Sequence, residues 1–328
     1  MRPFRYERAR DVDEALAGVV GAPEARYLAG GTNLVDLMRL GVESPSLLVD
    51  VTRLPFGGVQ PTAAGGALIG AAVRNSDLAA DPLVRERYPV LSEALLNGAS
   101  GQLRNLATVG GNLLQRTRCA YFQDITKPCN KRSPGSGCPA VAGEHRNLAI
   151  FGHSEHCVAT HPSDMAVALA ALDAVVHVVG PSGKRSIPLV GFHRLPGEEP
   201  QRDTVLAPGE LITGVELPPL AWARRSRYMK ARERRSFAFA LVSVAAALHC
   251  GESGEVVDAR VALGGVAHVP WRAFRAEEVL RGARVSQELF RAAADAELAQ
   301  AAPLRDNAYK VPLARNMIVR TLLDLVPA

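Results

Sequence analysis

Aromatic residues make up only 5% of this 328-residue chain, and cysteine occurs five times. A disulfide miniprotein is therefore excluded. No stretch approaches the ~18 uninterrupted apolar residues of a membrane span. The longest apolar run, residues 237–248, is shorter and carries Ser243. Residues 1–7 hold charges with no apolar core behind them, so no secretory signal is expected. Charge of one sign is also scarce: 38 Lys+Arg against 33 Asp+Glu leaves +5, too small a surplus to argue for nucleic acid. The sequence has no G-x-G-x-x-G, Walker A loop, H-E-x-x-H, catalytic triad, paired-carboxylate signature or C-x2-C knuckle. Rossmann, P-loop and zincin chemistry lose their support with them, and no acid, base or nucleophile stands out.

At 48% hydrophobic and 22% charged, the chain has the balance of a globular protein of two or three compact units. Asp11 to Glu14 form a capping box opening a helix to about residue 20. Residues 26–29 read as a strand, Gly30-Gly31 as a turn, and 33–40 as a short helix stopped by Gly41. Strand signals follow at 46–51 and 67–73, and helical ones at 77–80 and 89–97. The pattern is α+β. From 116 to 157 periodicity vanishes, and a long structureless loop needs a reason. Order resumes with a helix at 163–172 and strands at 174–179, 184–188 and 210–217. Pro218-Pro219 marks a domain boundary. Beyond it come a basic strand (seven basic residues in 224–235), an apolar strand at 237–248, a strand at 255–263, and helices at 275–280, 287–300 and 312–325.

Two loops share a pattern: Ala29-Gly30-Gly31-Thr32-Asn33 and Thr108-Val109-Gly110-Gly111-Asn112. Paired glycines let the backbone approach a ligand, and successive N–H groups can form an anion nest. Two such loops in one domain point to a dinucleotide. Ser163 reads as an N-cap with Asp164 in the first turn. Lys230, among basic neighbours, could face a phosphate or a flavin edge, while the basic run reads equally as a solvated strand face. Four of the five cysteines, Cys119, Cys129, Cys138 and Cys157, crowd the irregular loop. Four thiolates fit Zn(Cys)4 and [4Fe–4S] equally by count, and their spacing names neither. His145, His153, His156 and His161 nearby read as exposed loop residues, and Cys250 as a small buried hydrophobe.

In order, 28–34 (Leu-Ala-Gly-Gly-Thr-Asn-Leu), 104–112, Pro162-Ser163-Asp164, 210–218 and Tyr228-Met229-Lys230 resemble the FAD-binding medium subunit of the molybdenum hydroxylases, the xanthine dehydrogenase and carbon monoxide dehydrogenase family. The resemblance covers essentially the whole chain. It implies a PCMH-type FAD-binding domain of two α+β subdomains at 1–220, with a cysteine-rich insertion at about 116–158. A smaller α+β domain with a three-stranded sheet would follow at 221–328. It implies FAD contacts from Leu28, Ala29, Gly30, Gly31, Thr32, Asn33, Leu34, Thr108, Gly110, Gly111, Asn112, Asp164, Ile212 and Lys230. The wording around the cysteines is most similar to the aldehyde oxidoreductase branch, which implies a [4Fe–4S] cluster on Cys119, Cys129, Cys138 and Cys157. The implied function is electron transfer, with a small [2Fe–2S] subunit and a large molybdenum-cofactor subunit as partners and an external electron acceptor. Assembly would be cytoplasmic, or periplasmic if a partner with a twin-arginine signal exports the complex. The competing readings are a 4-hydroxybenzoyl-CoA reductase-like or xanthine dehydrogenase-like subunit, a stand-alone PCMH flavin oxidase, and a zinc-stapled binding module.

Overall fold

The computed structural model describes residues 1–326; residues 327–328 of the expected C-terminal domain lie outside the described residues. Strands β1 (Arg5–Arg8), β2 (Ala25–Leu28) and β3 (Leu47–Asp50) form a parallel sheet in the order β1-β3-β2. Helices Val12–Val20 and Leu34–Arg39 connect them. Asp11 caps the first by accepting from the Glu14 N–H at 2.8 Å. β1 carries no alternation of apolar and polar residues, and all four of its residues are exposed. Backbone pairing to β3 alone makes it a strand, so no side-chain pattern announces it.

Strands β4 (Val59–Pro61), β5 (Ala67–Gly70), β6 (Val175–Gly180), β7 (Gly183–Pro188) and β8 (Leu211–Leu217) form an antiparallel sheet in the order β4-β5-β8-β6-β7. Helix Asp164–Ala171 is buried along its whole length in the core of this unit, as its nearly all-apolar sequence requires. These two units are the α+β subdomains that the resemblance implies.

The last sheet is antiparallel: β9 (Ser226–Ala231), β10 (Val242–Cys250), β11 (Val256–Gly264) and β12 (Trp271–Arg272), in the order β12-β11-β10-β9. It has four strands rather than the expected three, because two residues after β11 fold back on its edge. Val242, Val244, Ala246 and Leu248 pack with Phe290 and Ile318 of the C-terminal helices. The alternate Ala245 joins the core around Leu169 of the FAD-type domain. Both faces of β10 are thus buried, which explains its unbroken apolar run. The strand begins at Val242, not at 237. Phe237 and Phe239 alternate with alanine as in a strand, yet both are exposed and Phe237 has φ of 50°.

The cysteine segment stays irregular apart from one turn of helix at Ala120–Gln123 and a 3-10 turn at Pro139–Val141. Its end is stitched into the C-terminal domain. Ile150 and Phe151 N–H both donate to the Val266 carbonyl at 2.8 and 3.0 Å, and His161 N–H donates to Ala267 O at 2.8 Å. The fully buried Lys310 ammonium donates to Asn147 O, Leu148 O and Gly265 O at 2.9, 3.0 and 2.7 Å. Lys310→Met keeps the stem and removes all three donors. It should lower stability by about 2–4 kcal/mol, the cost of leaving buried carbonyls unpaired. Urea unfolding monitored by circular dichroism measures this, and an unchanged midpoint would refute the role.

Candidate functional site

A cavity of about 590 Å³ opens where the three units meet. Six of the expected contact residues line it: Thr32, Asn33, Gly111, Asn112, Asp164 and Lys230. The other eight stand outside the lining. Leu28 ends β2, Ala29, Gly30 and Gly31 form the turn behind it, and Leu34 begins a helix. Thr108 caps helix Val109–Leu113, Gly110 lies in that helix, and Ile212 is buried in β8. A Cβ on Gly110 would sit 3.7 Å from the Ile212 Cβ, so Ile212 supports the second loop from below.

The two glycine loops lie side by side. A Cβ on Gly30 would come 1.9 Å from the Leu106 carbonyl oxygen, so only glycine permits this approach. Gly31 has φ of 70°, which also favours glycine. The loops differ in what they offer a ligand. In the second, the N–H groups of Val109, Gly110 and Asn112 donate to Val73 O, Ala71 O and Thr108 O, and that of Gly111 to the Thr108 hydroxyl. Residues 109–112 therefore form no anion nest, which corrects the reading of this loop. The N–H groups of residues 30–33 have no protein acceptor among the described residues. The first loop keeps the free donors, and the second braces it.

Asp164 and Lys230 form a buried ion pair at 2.8 Å, and the Tyr228 hydroxyl donates to the same carboxylate. Lys230 also donates to Asn97 O at 3.1 Å. Desolvation raises the Asp164 pKa against the pull of Lys230. Lys230 is thus a neutralised element of the wall, not the free cation suggested by its basic neighbours. No motif assigns Arg118 or Asn75 to the cavity that they line. Arg118 lies with its guanidinium 5.1 Å from the Phe239 ring centre, and burial lowers its pKa. Asn33 Nδ2, Asn75 Oδ1 and His161 Nε2 are buried polar atoms on lining residues with no protein partner. A cavity of this size whose walls carry unpaired donors and acceptors suits a dinucleotide.

The four loop cysteines border one small cavity. Cys119, Cys129 and Cys157 are buried and Cys138 half-buried, while Cys250 lies apart at the end of β10. The hydrogen bond between Cys138 and Cys157 pulls the Cys138 thiol down to about 6 and pushes Cys157 up. Among the described residues, no group of three or more His, Cys, Asp or Glu side chains is placed to hold a metal ion. Cys119 lines the large cavity as well as the small one. The nearby histidines are not simply exposed. His145 is buried between Ala140 O and the Asp306 N–H, and His161 is enclosed with its ring against His193. His268, which no motif flags, places Nε2 3.2 Å from the Cys157 sulfur.

Beside the cysteines, Lys131 and Arg116 converge on Asp203, with Arg116 also reaching Glu43 at 2.7 Å. Burial alone would raise the Asp203 pKa, but Lys131 and then Arg116 outweigh it and hold it at about 2. With the folded value depressed, the stabilisation is complete above the ordinary carboxylate pKa. It is lost as pH falls from about 4 through about 2.

Two outcomes test this wall. Gly30→Ala should force the loops apart and abolish binding of the expected flavin, read as lost visible absorbance per chain; retained flavin would refute the close-approach argument. Asp203→Asn should cost about 3 kcal/mol at pH 7, the low end for breaking a buried pair because a third of the carboxylate side chain is exposed. It should also flatten the acid side of the stability profile. Unfolding curves at pH 7 and pH 3 measure both effects.

The sequence model of the FAD binding domain in molybdopterin dehydrogenase matches residues 2–220, and that of the CO dehydrogenase flavoprotein C-terminal domain matches 227–325. The chain is 51% identical over 325 residues to the aldehyde oxidoreductase FAD-binding subunit PaoB of Escherichia coli, covering 99% of this chain and 98% of that one. It is 29% identical to the glyceraldehyde dehydrogenase medium chain of Sulfolobus acidocaldarius, covering 93% and 90%. A solved carbon monoxide dehydrogenase chain from Hydrogenophaga pseudoflava superposes with a TM-score of 0.77 at 27% identity, covering 99% and 97%. Among the described residues no helix is long and apolar enough to cross a membrane. With both domains matched in order over nearly its full length, the chain belongs to the FAD-binding subunits of the molybdopterin dehydrogenases.

Proposed function

We propose that this chain is the electron-transfer subunit of a molybdenum-dependent aldehyde oxidoreductase, carrying FAD in the large cavity and a [4Fe–4S] cluster on Cys119, Cys129, Cys138 and Cys157. The observation that carries the reading is the position of Cys119, which borders both sites. Two redox groups held on either side of one residue are close enough to exchange electrons. Likeness to the FAD-binding subunit of an aldehyde oxidoreductase supports the substrate class.

The free N–H groups of Thr32 and Asn33, with their side chains, would hold the FAD phosphates. Asn75 and His161 offer polar atoms to the rest of the molecule. Asp164 and Lys230 keep the wall rigid and electrically neutral. Four thiolates fit zinc and a cluster equally by count, and it is the likeness to an aldehyde oxidoreductase subunit, the branch whose cysteine wording this loop resembles, that favours the cluster. When bound, the two groups supply electron storage and transfer. Aldehyde oxidation itself belongs to a molybdenum subunit, with a [2Fe–2S] subunit between them and an external acceptor beyond.

The chain should be purified alone and with the products of neighbouring genes. The isolated chain should contain non-covalent FAD, released by acid, and about four irons per polypeptide. Cys129→Ser should lose the iron and Cys250→Ser keep it. Aldehyde should bleach the flavin only in the complex. Zinc in place of iron would overturn the cluster, and aldehyde turnover by the isolated chain would overturn the subunit reading.

A further inference from the structure

We propose that His268 donates its Nε2–H to the Cys157 sulfur and thereby holds that ligand and raises the reduction potential of the [4Fe–4S] cluster; this rests on the cluster reading above. The two residues belong to different domains. Cys157 ends the irregular loop, whereas His268 follows β11 in the C-terminal sheet. Their approach is fixed by main-chain bonds on either side: Ile150 and Phe151 to Val266, and His161 to Ala267. The 3.2 Å contact between Nε2 and Sγ is therefore built into the domain junction.

The other ring nitrogen decides the tautomer. His268 Nδ1 is buried and has no protein partner. The ring lines a second cavity of about 270 Å³, shared with His161, His193 and Gln201. Each of these also carries a buried nitrogen or oxygen without a protein partner. A cavity this polar and roomy holds water, since each water finds two or more partners. Water donating to Nδ1 leaves the proton on Nε2, facing the sulfur. The reverse tautomer would set a nitrogen lone pair against the electron-rich sulfur. A hydrogen bond to a ligating sulfur withdraws negative charge from the cluster and favours its reduced, more negative state. His161 lines the flavin cavity as well, so the polar interior extends from the cysteine site to the flavin. The gap between the two potentials sets which way electrons settle, and His268 would act on that gap without touching either redox group's reacting atoms. It is a positioning residue.

The test compares wild type, His268→Phe, His268→Met and His268→Gln in the purified complex. Iron, acid-labile sulfide and flavin are counted first, and the cluster's midpoint potential is then measured by redox titration followed by electron paramagnetic resonance. The two variants without a donor should shift to lower potential, with flavin content unchanged. Gln, whose amide can donate, should return the potential toward wild type. If both donor-free variants lose the cluster while Gln keeps it, the donor is what holds Cys157, as proposed. A donor-free variant with a full cluster and the wild-type potential would overturn the inference, and so would loss of the cluster in all three variants, which marks packing alone. Wild-type protein without iron would instead overturn the cluster reading itself, and this inference with it.

Discussion

Among the described residues no carboxylate pairs with the Lys310 ammonium, yet it ties three carbonyls from two distant parts of the chain. Around it, the N–H groups of Ile150, Phe151 and His161 donate to Val266 O and Ala267 O, and the Asn307 side-chain amide donates to Leu148 O and Ala149 O. Each bond contributes only about 1 kcal/mol net. Their importance is geometric, because this one seam fixes the end of the cysteine loop, the C-terminal sheet and one side of the large cavity. Burying an unpaired ammonium costs several kcal/mol. The three bonds offset only part of that cost, and burial still pulls the Lys310 pKa down to about 7.

A second constraint is charge neutrality in the walls. Asp164 with Lys230, and Asp203 and Glu43 with Arg116 and Lys131, place opposite charges in contact in equal number where water is scarce. The large cavity's wall is neutral at Asp164 and Lys230, and its polarity comes from Arg118 and from unpaired amide, imidazole and backbone groups. A net anion entering such a space meets donors that are already oriented and need no rearrangement.

The elements that pack by period were legible in the sequence. Helix Asp164–Ala171 and most of β10 follow from apolar pattern, and the capping residues Asp11 and Ser163 act where their spacing places them. β1 was not legible, since its stability lies in backbone pairing. The two glycine loops read as equivalent because a motif records residue types and not what their N–H groups already bond. Lys230 misled for a related reason: its partner Asp164 lies 66 residues away, and local charge counts cannot see it. His268 was silent because nothing around it repeats, and its meaning comes only from a sulfur 111 residues distant.

The sheet shared by both domains has a consequence for how the chain is made. A ribosome releases residues 1–220 first, and helix Asp164–Ala171 then has no β10 or β11 to cover it. The segment bearing Cys157 likewise waits for residues 265–310 before its backbone is secured. Until then the four thiols stand on a loop held only by contacts within residues 1–220, such as Lys131 and Arg116 on Asp203, and are open to oxidation or to adventitious metal. Closure of the loop around these cysteines therefore belongs to the last stage of synthesis. A gene split at the Pro218-Pro219 junction would yield two sticky halves rather than two working modules.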